Sequence, residues 1–395
     1  MSKKEKELVF QWLNSFTQIK ESSWNELCRH KCHPFMSYKW FALLEDTNTI
    51  GDHTGWGIRI LTVCRDGSMV AACPLFLKSH SDGEFSYDFA WQEFYQMLGL
   101  HYYPKIVGMS PFSPVPVYHF LVKQGENEAM YSRYCLEQIK LFCSTHNISG
   151  IHYYFTDPGW GTVCRESGYA MMLHHRYLWQ NSNYPDFNAF LDTFNKNQRK
   201  NIRKEMQCLE KNNLTVRFIS GNDITADYAD SMYDFYEQTN QKYGTWSCLF
   251  LNRDFFKKMF QEFKKNILLI GAFSRNNILP DAMSFFILHN RKLYGRYWGS
   301  STFIPHLHFT LCYYLPVKWA IDNNIDSFDP GVGAIHKSRR GFVSSASHSY
   351  HFFLDDRIRS VFDENIRQIN MYIRDDISIL NEAMPLKRKD AVEND

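Results

Sequence analysis

The sequence contains an internal repeat, and this feature limits the possible folds more than any other. Two segments, 57–78 ("GIRILTVCRDGSMVAACPLFLK") and 266–290 ("NILLIGAFSRNNILPDAMSFFILHN"), each read as a strand, a polar turn and a second strand. Alignment of the two turns places Ala72 opposite Ala282. The chain is therefore predicted to contain two copies of one module.

The segments that follow the two hairpins extend the repeat. We expect a third strand in each half, at 85–91 ("FSYDFAW") and 292–298 ("KLYGRYW"), because both are rich in aromatic residues and both end in tryptophan. Amphipathic helices are predicted at 127–147 and 305–324, each followed by a short strand. Each half therefore reads as an antiparallel meander that leads into a strand, helix, strand crossover. Pro316 is expected to kink the second helix.

These elements predict an α/β (α+β) protein with two tandem domains, each a mixed, mostly antiparallel sheet flanked by helices. The length of 395 residues also exceeds what one hydrophobic core usually supports. We expect an N-terminal domain at 1–175 and a C-terminal domain at 176–381. The second domain ends in an amphipathic helix at about 356–380, and 382–395 is predicted to be a disordered tail.

Composition excludes several classes of protein. Hydrophobic residues make up 44% of the chain and the net charge is +2, which is unlike a disordered protein or a dedicated nucleic-acid coat. The longest apolar run, "ILLIGAF" from Ile267, is too short to span a bilayer. The first residues have no signal-peptide pattern, so the ten cysteines are expected to be reduced thiols in a cytoplasmic protein.

One cluster of cysteine and histidine suggests zinc, but we predict no metal site. Its members are Cys28, His30, Cys32 and His33. Ser23 and Glu26 form a capping-box pattern that opens a helix at this point, and a closed zinc site would normally need a second pair of ligands elsewhere.

Two basic segments are candidates for anion binding. The helix "NKNQRKNIRKEMQ" carries cations spaced by three or four residues, which places them on one face; they are Lys196, Arg199, Lys200, Arg203 and Lys204. The loop "DPGVGAIHKSRRGF" at 329–342 adds His336, Lys337 and Arg340. It is not a P-loop, because His336 occupies the position of the glycine before the lysine. Both segments could instead be solvated basic surface.

Candidate catalytic residues occur in both halves. In "LYGRYWGSS", strict alternation would place Tyr294, Arg296 and Trp298 on one face, and we consider Arg296 and Tyr297 for a cleft. His308 is a candidate general base. In the first half, Glu84 and Asp88 are a candidate pair for proton transfer, with Lys78 and His80 as binding residues.

Taken together, several segments resemble the FemAB-like predicted N-acyltransferases, within the broader GNAT superfamily of acyltransferases. The segments are "LFLKSHSDGEFSYDFAW", "HYYPK", "SPFSPV", "NQRKNIRKE", "LYGRYWG", "HLHFTLCYY" and "HKSRRGF". The resemblance covers nearly all of residues 33–355 and implies two GNAT-like domains in tandem. It departs from the family pattern at Thr310 and Ile335, where the family pattern has glutamates, which weakens the inference of a general base.

The resemblance implies an N-acyltransferase that moves an acyl group from acyl-CoA to an amine on a small molecule or a peptidoglycan precursor. Acyl-CoA would be a co-substrate, and no permanently bound cofactor is expected. Two alternatives remain. One is a Fem-type transferase that uses aminoacyl-tRNA and acts on a peptidoglycan precursor. The other is a degenerate, non-catalytic anion-binding protein.

Overall fold

The computed structural model describes residues 7–28, 32–86, 88–242, 244, 247–333 and 335–387. The chain forms two compact units that are interleaved along the sequence. The first unit contains Met1–His174 and Ala346–Arg374, and the second contains His175–Ser345 and Asp375–Asp395. The sequence predicted a single division after residue 175, so the assignment of residues 346–374 to the first unit differs from that prediction.

The described residues form seven strands in the first half of the chain and six in the second. The first half contains β1 (Leu8–Leu13), β2 (Trp56–Arg65), β3 (Ser68–Lys78), β4 (Lys105–Gly108), β5 (Leu121–Val122), β6 (Gly150–Tyr153) and β7 (Ala170–Gln180). The second half contains β8 (Leu214–Ser220), β9 (Ile267–Ser274), β10 (Ala282–His289), β11 (Lys292–Ser300), β12 (Ser327–Asp329) and β13 (Val343–Phe353).

Helices connect many of these strands. The first half contains α1 (Glu21–Cys28), α2 (Tyr38–Asp46), α3 (Phe89–Met97), α4 (Glu128–Thr145) and α5 (Gly161–Glu166). The second half contains α6 (Phe187–Leu191), α7 (Lys196–Met206), α8 (Cys208–Lys211), α9 (Ala226–Gln241), α10 (Arg253–Glu262), α11 (Leu307–Phe309), α12 (Leu315–Asp322) and α13 (Asp356–Glu382). Among the helices of the described residues, none is both long enough and apolar enough to cross a membrane.

The register of the hairpins confirms the repeat. Ala72 pairs with Thr62 in β2 and β3, and Ala282 pairs with Ala272 in β9 and β10, so the two alanines occupy equivalent positions. Each hairpin also pairs on its outer side with an earlier strand, β1 in the first unit and β8 in the second. The predicted mixed α/β fold class, with mostly antiparallel strands flanked by helices, is confirmed.

The predicted third strand of the first half is wrong. Within 85–91, residues from Phe89 onward begin helix α3, and the true third strand is β4. Trp91 and Tyr95 lie one helical turn apart and pack against Phe353 and Phe362 in the core of the first unit. The helical spacing of these rings, and not their preference for strands, determines the local structure.

Each unit is completed by a strand from the other half of the sequence. In the first unit, β13 pairs antiparallel with β6, with Tyr350 opposite Tyr153. In the second unit, β7 pairs antiparallel with β12, with Trp179 opposite Phe328. This exchange explains why the two units interleave, and why a single domain boundary does not describe the chain.

The end of the chain is more ordered than predicted. The amide of Asn195 donates to the carbonyl of Pro385, and the amide of Lys387 donates to the carbonyl of Thr193. Residues up to Lys387 therefore pack on the second unit, which corrects the prediction of a tail that is disordered from residue 382. The remainder, 388–395, lies outside the described residues.

The cysteine cluster near the N-terminus also differs from expectation. Cys28 and Cys32 form a disulfide, so the prediction of reduced thiols is wrong for this pair. His33 accepts a hydrogen bond at Nδ1 from the amide of Phe35 and caps a short helix. His30, the fourth member of the candidate zinc set, lies outside the described residues.

Candidate functional site

A cleft in the second unit opens where two parallel strands separate. β11 and β12 pair over only three positions, from Lys292 opposite Ser327 to Tyr294 opposite Asp329. Beyond these pairs β11 continues to Ser300, whereas β12 ends at Asp329. The resulting cleft has a volume of about 280 Å³. Its lining includes five of the predicted site residues: Arg296, Tyr297, His308, His336 and Lys337.

A β-bulge shapes one wall of this cleft. Phe285 pairs with Tyr297 and Phe286 pairs with Gly295, so the register omits Arg296. Arg296 is the extra residue of the bulge, and its backbone lies outside the ladder with β10. The predicted strict alternation along β11 is therefore wrong, because the bulge brings consecutive residues, from Gly295 to Trp298, to the cleft.

Aromatic rings surround the predicted catalytic side chains. The guanidinium of Arg296 lies 3.3 Å from the hydroxyl of Tyr297, and burial raises the pKa of Tyr297. The ring of His308 packs 4.9 Å from that of Trp298. Burial, with positive charge nearby, lowers the pKa of His308 to about 4, so its imidazole is neutral at pH 7. A neutral imidazole can accept a hydrogen bond at one ring nitrogen, although the lowered pKa makes it a weaker base than a solvated imidazole.

His336 and Lys337 also line the cleft, and both have protein partners. Nε2 of His336 lies 3.1 Å from the hydroxyl of Tyr313, and burial lowers the pKa of His336 to about 4. The ammonium of Lys337 donates to the carbonyls of Gly331 (2.8 Å) and Val332 (2.9 Å). Burial lowers its pKa to about 8. Lys337 thus fixes the loop that follows β12.

Arg340, predicted to contact a bound anion, instead pairs with a carboxylate of the protein. Its guanidinium donates to both carboxylate oxygens of Glu205, at 3.2 and 3.0 Å, and lies over the ring of Phe309. The hydroxyl of Tyr314 donates to the same carboxylate. Arg340 is buried and already neutralised, so it joins the loop to helix α7 instead of facing a ligand.

The other predicted cations line a groove of about 620 Å³ along α7 and α8. Asn195 caps α7 by accepting a hydrogen bond from the amide of Gln198, and the cations then recur on one face. The lining residues are Lys196, Arg199, Lys200, Arg203, Lys204, Gln207 and Lys211. All are cationic apart from Gln207, so the groove can attract phosphates.

In the first unit, the predicted carboxylates form a buried ion cluster. The ammonium of Lys105 lies 2.8 Å from Glu84, 2.5 Å from Asp88 and 2.7 Å from the hydroxyl of Ser81. Burial raises the pKa of Glu84, and burial alone would also raise that of Asp88, but Lys105 lowers it. With Lys105, Glu84 and Asp88 almost inaccessible to solvent, these contacts correct the prediction of a catalytic pair.

The two predicted binding residues of the first half also have structural contacts. Lys78 is fully buried, with its ammonium 3.5 Å from the centre of the Trp56 ring and 3.2 Å from the carbonyl of Asp82. Nε2 of His80 lies 3.0 Å from the carbonyl of Thr54. These contacts hold the chain that follows β3, and ligand binding by Lys78 and His80 stays a prediction.

Comparison with known proteins identifies the family. The model of the FemAB-like family, described as peptidoglycan biosynthesis/recognition, matches residues 15–388. The chain belongs to the FemAB-like family. No curated protein matches the sequence.

Solved structures share the fold of this FemAB-like protein. FemX has a TM-score of 0.51 at 11% identity, over 89% of this chain and 100% of FemX. L-PGS from Bacillus licheniformis has a TM-score of 0.50 at 10% identity, over 91% of this chain and 98% of L-PGS. A protein of unknown function from Bacteroides thetaiotaomicron has a TM-score of 0.50 at 8% identity, covering 88% and 100% of the two chains. These identities are low, so the likeness shows the fold alone.

The cleft is also lined by residues that the sequence pattern did not indicate. Cys312 and Tyr313 reach the cleft because the helix between α11 and α12 widens to a π-helical turn at Thr310–Tyr314. Thr310, at one of the two positions where a glutamate was expected, is buried and donates to the carbonyl of His306. Ile335, at the other, is 66% exposed. Pro316, just after this turn, was the sequence signal for an irregular helix.

Proposed function

We propose that this protein transfers an aminoacyl group from aminoacyl-tRNA to an amine of a peptidoglycan precursor, in the cleft of the second unit. The family, described as peptidoglycan biosynthesis/recognition, supports the acceptor class. One observation supports the site above all: the parallel pair of β11 and β12 is short and lies beside a bulge, and the cleft there is lined by Arg296 and His308.

The chemistry requires a base and a donor for developing negative charge. The acceptor amine attacks the ester carbonyl, a C–N bond forms, and the C–O bond to the terminal ribose breaks. His308 would accept the proton that the amine loses and return it to the ribose hydroxyl. Arg296 lines the cleft, and its guanidinium would stabilise the negative charge that develops on the carbonyl oxygen. Lys337 would position the facing loop through its bonds to Gly331 and Val332.

The groove along α7 would hold the phosphates of the donor. Lys200, Arg203 and Lys204 are exposed, and they form no ion pair with another of the described residues, so they can reach a polyanion. Nucleic acid is the donor chemistry that presents consecutive phosphates, so affinity should fall steeply with salt. A second candidate function, N-acyl transfer from acyl-CoA, would use the same cleft, because separated strands also admit a thioester chain.

The first experiment supplies both donors to the same acceptor, a peptidoglycan stem peptide with a free side-chain amine. Transfer is measured by mass spectrometry of the acceptor with aminoacyl-tRNA or with acyl-CoA. We expect product only with aminoacyl-tRNA. Product only with acyl-CoA would replace the proposal with the second candidate, and no product with either donor would reject both.

The second experiment assigns the base. His308→Ala should lower kcat by about 10²- to 10⁴-fold, the usual contribution of a general base. His289→Gln, on a strand of the same unit but outside the cleft lining, is the matched control and should leave kcat unchanged. Equal rates for wild type and His308→Ala would remove His308 from the mechanism.

The third experiment tests the groove. Lys200→Ala combined with Arg203→Ala should raise KM for aminoacyl-tRNA and reduce the salt slope by about one for each lost phosphate contact. The control is Lys292→Ala. It removes an exposed cation at the start of β11, outside the groove lining. An unchanged salt slope in the double variant would assign the groove to solvent.

A further inference from the structure

A glycine-rich loop follows β12 in the second unit and lines the cleft. Pro330, Val332 and Gly333 are part of the lining, and we call residues 330–333 the cleft loop. Gly331 and Gly333 have φ angles of 81° and 88°, in the left-handed region that glycine adopts without strain. Glycine also loses the most conformational freedom on folding, so the order of this loop depends on contacts from outside it.

An ion pair with Arg176 holds the start of the cleft loop. Asp329, the last residue of β12, accepts from the guanidinium of Arg176 at Oδ2 (2.9 Å) and from the amide of Gly331 at Oδ1 (2.9 Å). The side chain of Asp329 is only 6% exposed and that of Arg176 is 21% exposed. Charge-assisted hydrogen bonds of this kind are stronger and more directional than those between neutral groups. One carboxylate therefore ties the loop to a neighbouring strand.

Strand β7 places Arg176 beside the cleft loop. β7 runs antiparallel to β12, with Trp179 opposite Phe328. The residues of β7 that precede Trp179 therefore lie beyond the end of β12, where the cleft loop begins. The ring of Tyr177, in the same part of β7, has its centre 5.8 Å from the ammonium of Lys337. β7 thus flanks the loop on the side from which Arg176 reaches Asp329.

Lys337 holds the cleft loop from its other side. Gly331 joins the two contacts, because its amide donates to Asp329 and its carbonyl accepts from Lys337. Burial lowers the pKa of Lys337 to about 8, and the negative charge of Asp329 opposes this shift. A change at Asp329 therefore reaches Lys337 through the loop and through charge.

We propose that Arg176 and Asp329 are positioning residues of the cleft, which hold the cleft loop and Lys337 in place although neither side chain is part of the lining. The kinetic consequence rests on the proposed function, because the loop would form a wall against which the acceptor binds. A displaced wall weakens binding in the ground state and in the transition state alike, so loss of the ion pair should raise KM with little change in kcat.

Chemical labelling of Lys337 tests the inference without a transfer reaction. Acetic anhydride acetylates the neutral amine, and mass spectrometry of peptides from the labelled full chain measures the rate at Lys337 over a range of pH. Asp329→Asn keeps the size of the side chain and removes its charge. The rate at about pH 7 should rise about three- to tenfold, as a pKa lowered by half to one unit produces.

Asp326→Asn is the matched control for the labelling. Asp326 forms an exposed ion pair with Arg291, just before the same two strands, and this variant should label like wild type. Both variants leave in place the other titratable groups around Lys337 and Asp329, which include Arg176, Tyr177, Tyr294, His308, Cys312 and His336. Equal labelling of Lys337 in wild type and Asp329→Asn would overturn the proposal.

Steady-state kinetics tests the consequence for transfer. Arg176→Gln should raise KM for the acceptor peptide about tenfold and change kcat less than about twofold. Arg176→Lys, which can still pair with Asp329, should recover most of this loss, and both variants should keep the wild-type circular dichroism. An unchanged KM in Arg176→Gln would also overturn the proposal. Absence of transfer with every donor would reject the proposed function, whereas the labelling of Lys337 would still decide the positioning role.

Discussion

The two units share a strand order and have parallel strand pairs of equal length, but the space beside these pairs differs. In the first unit, β4 pairs with β6 at three positions, and the last of them places Gly108 opposite Tyr153. A Cβ at Gly108 would lie 2.3 Å from the hydroxyl of Tyr118, because aromatic rings fill the space beside this glycine. In the second unit, a Cβ at Gly295 would meet Pro330 only at 3.4 Å, and Gly295 lines the cleft.

The cations that precede the two parallel strand pairs also differ in burial. Lys105 immediately precedes the parallel pairs of the first unit and is buried between Glu84 and Asp88. Arg291 immediately precedes those of the second unit and forms an exposed ion pair with Asp326. One copy of the module is thus closed by packing and internal charge pairing, whereas the other remains open. Topology alone therefore does not identify which copy carries a cleft.

The largest expected effect concerns the buried charges. Lys105→Ala should lower the free energy of unfolding by about 3–5 kcal/mol, because it leaves the buried carboxylates of Glu84 and Asp88 without their cation. Arg291→Ala, the equivalent change in the second unit, should cost less than about 1 kcal/mol because its pair is exposed. Urea denaturation of both variants measures the difference.

A control separates charge from packing. Combining Lys105→Met with Glu84→Gln and Asp88→Asn removes all three charges, and it should recover part of the stability lost in Lys105→Ala. Equal destabilisation by Lys105→Ala and Arg291→Ala would contradict the contrast between the two units.

A smaller effect should follow from adding one methyl group to each gap. Gly108→Ala should destabilise the protein by about 1–3 kcal/mol, because the new Cβ overlaps the Tyr118 hydroxyl and the Tyr153 ring. Gly295→Ala meets its neighbours at ordinary contact distance, so its stability should change by less than about 0.5 kcal/mol. Thermal denaturation measures both, and a Gly295→Ala cost as large as that of Gly108→Ala would show that the second gap is also packed.

Much of this architecture was predictable from local pattern. The hairpins, the helices α4, α7 and α13 and the short strand β12 follow from periodicity and turn residues, which depend on near neighbours in sequence. The third strand of the first half was not predictable in this way. β4 has only four residues, whereas the aromatic residues of 85–91 lead into helix α3.

The candidate site was predictable in part, and the failures share a physical cause. Arg296, Tyr297, His308, His336 and Lys337 meet in one cleft, as their residue types suggested. The roles of other residues depended on distant partners: Glu205 lies 135 positions before Arg340, which it neutralises. The sequence around a charged residue does not show whether a distant residue of opposite charge pairs with it in the fold. Its role therefore cannot be predicted from near neighbours.

The smallest expected effect concerns buried histidines of the first unit. Nδ1 of His351 lies 2.9 Å from Nδ1 of His152, and its Nε2 lies 2.7 Å from the hydroxyl of Ser349, which also lies 2.6 Å from Nε2 of His174. Burial lowers the pKa of His351 to about 3 and that of His174 to about 4. The unfolded chain, with histidine pKa values near 6.5, therefore binds more protons below that pH.

Stability contributed by these neutral histidines is complete above about pH 6.5 and is lost as pH falls toward their folded pKa values. Each should cost about 1–2 kcal/mol at pH 5 relative to pH 7. His351→Phe should reduce this acid dependence by the share of one histidine, whereas His101→Gln, at an exposed position, should not. Urea denaturation at both pH values measures it, and an unchanged slope in His351→Phe would mean that other groups cause the acid sensitivity of the closed unit.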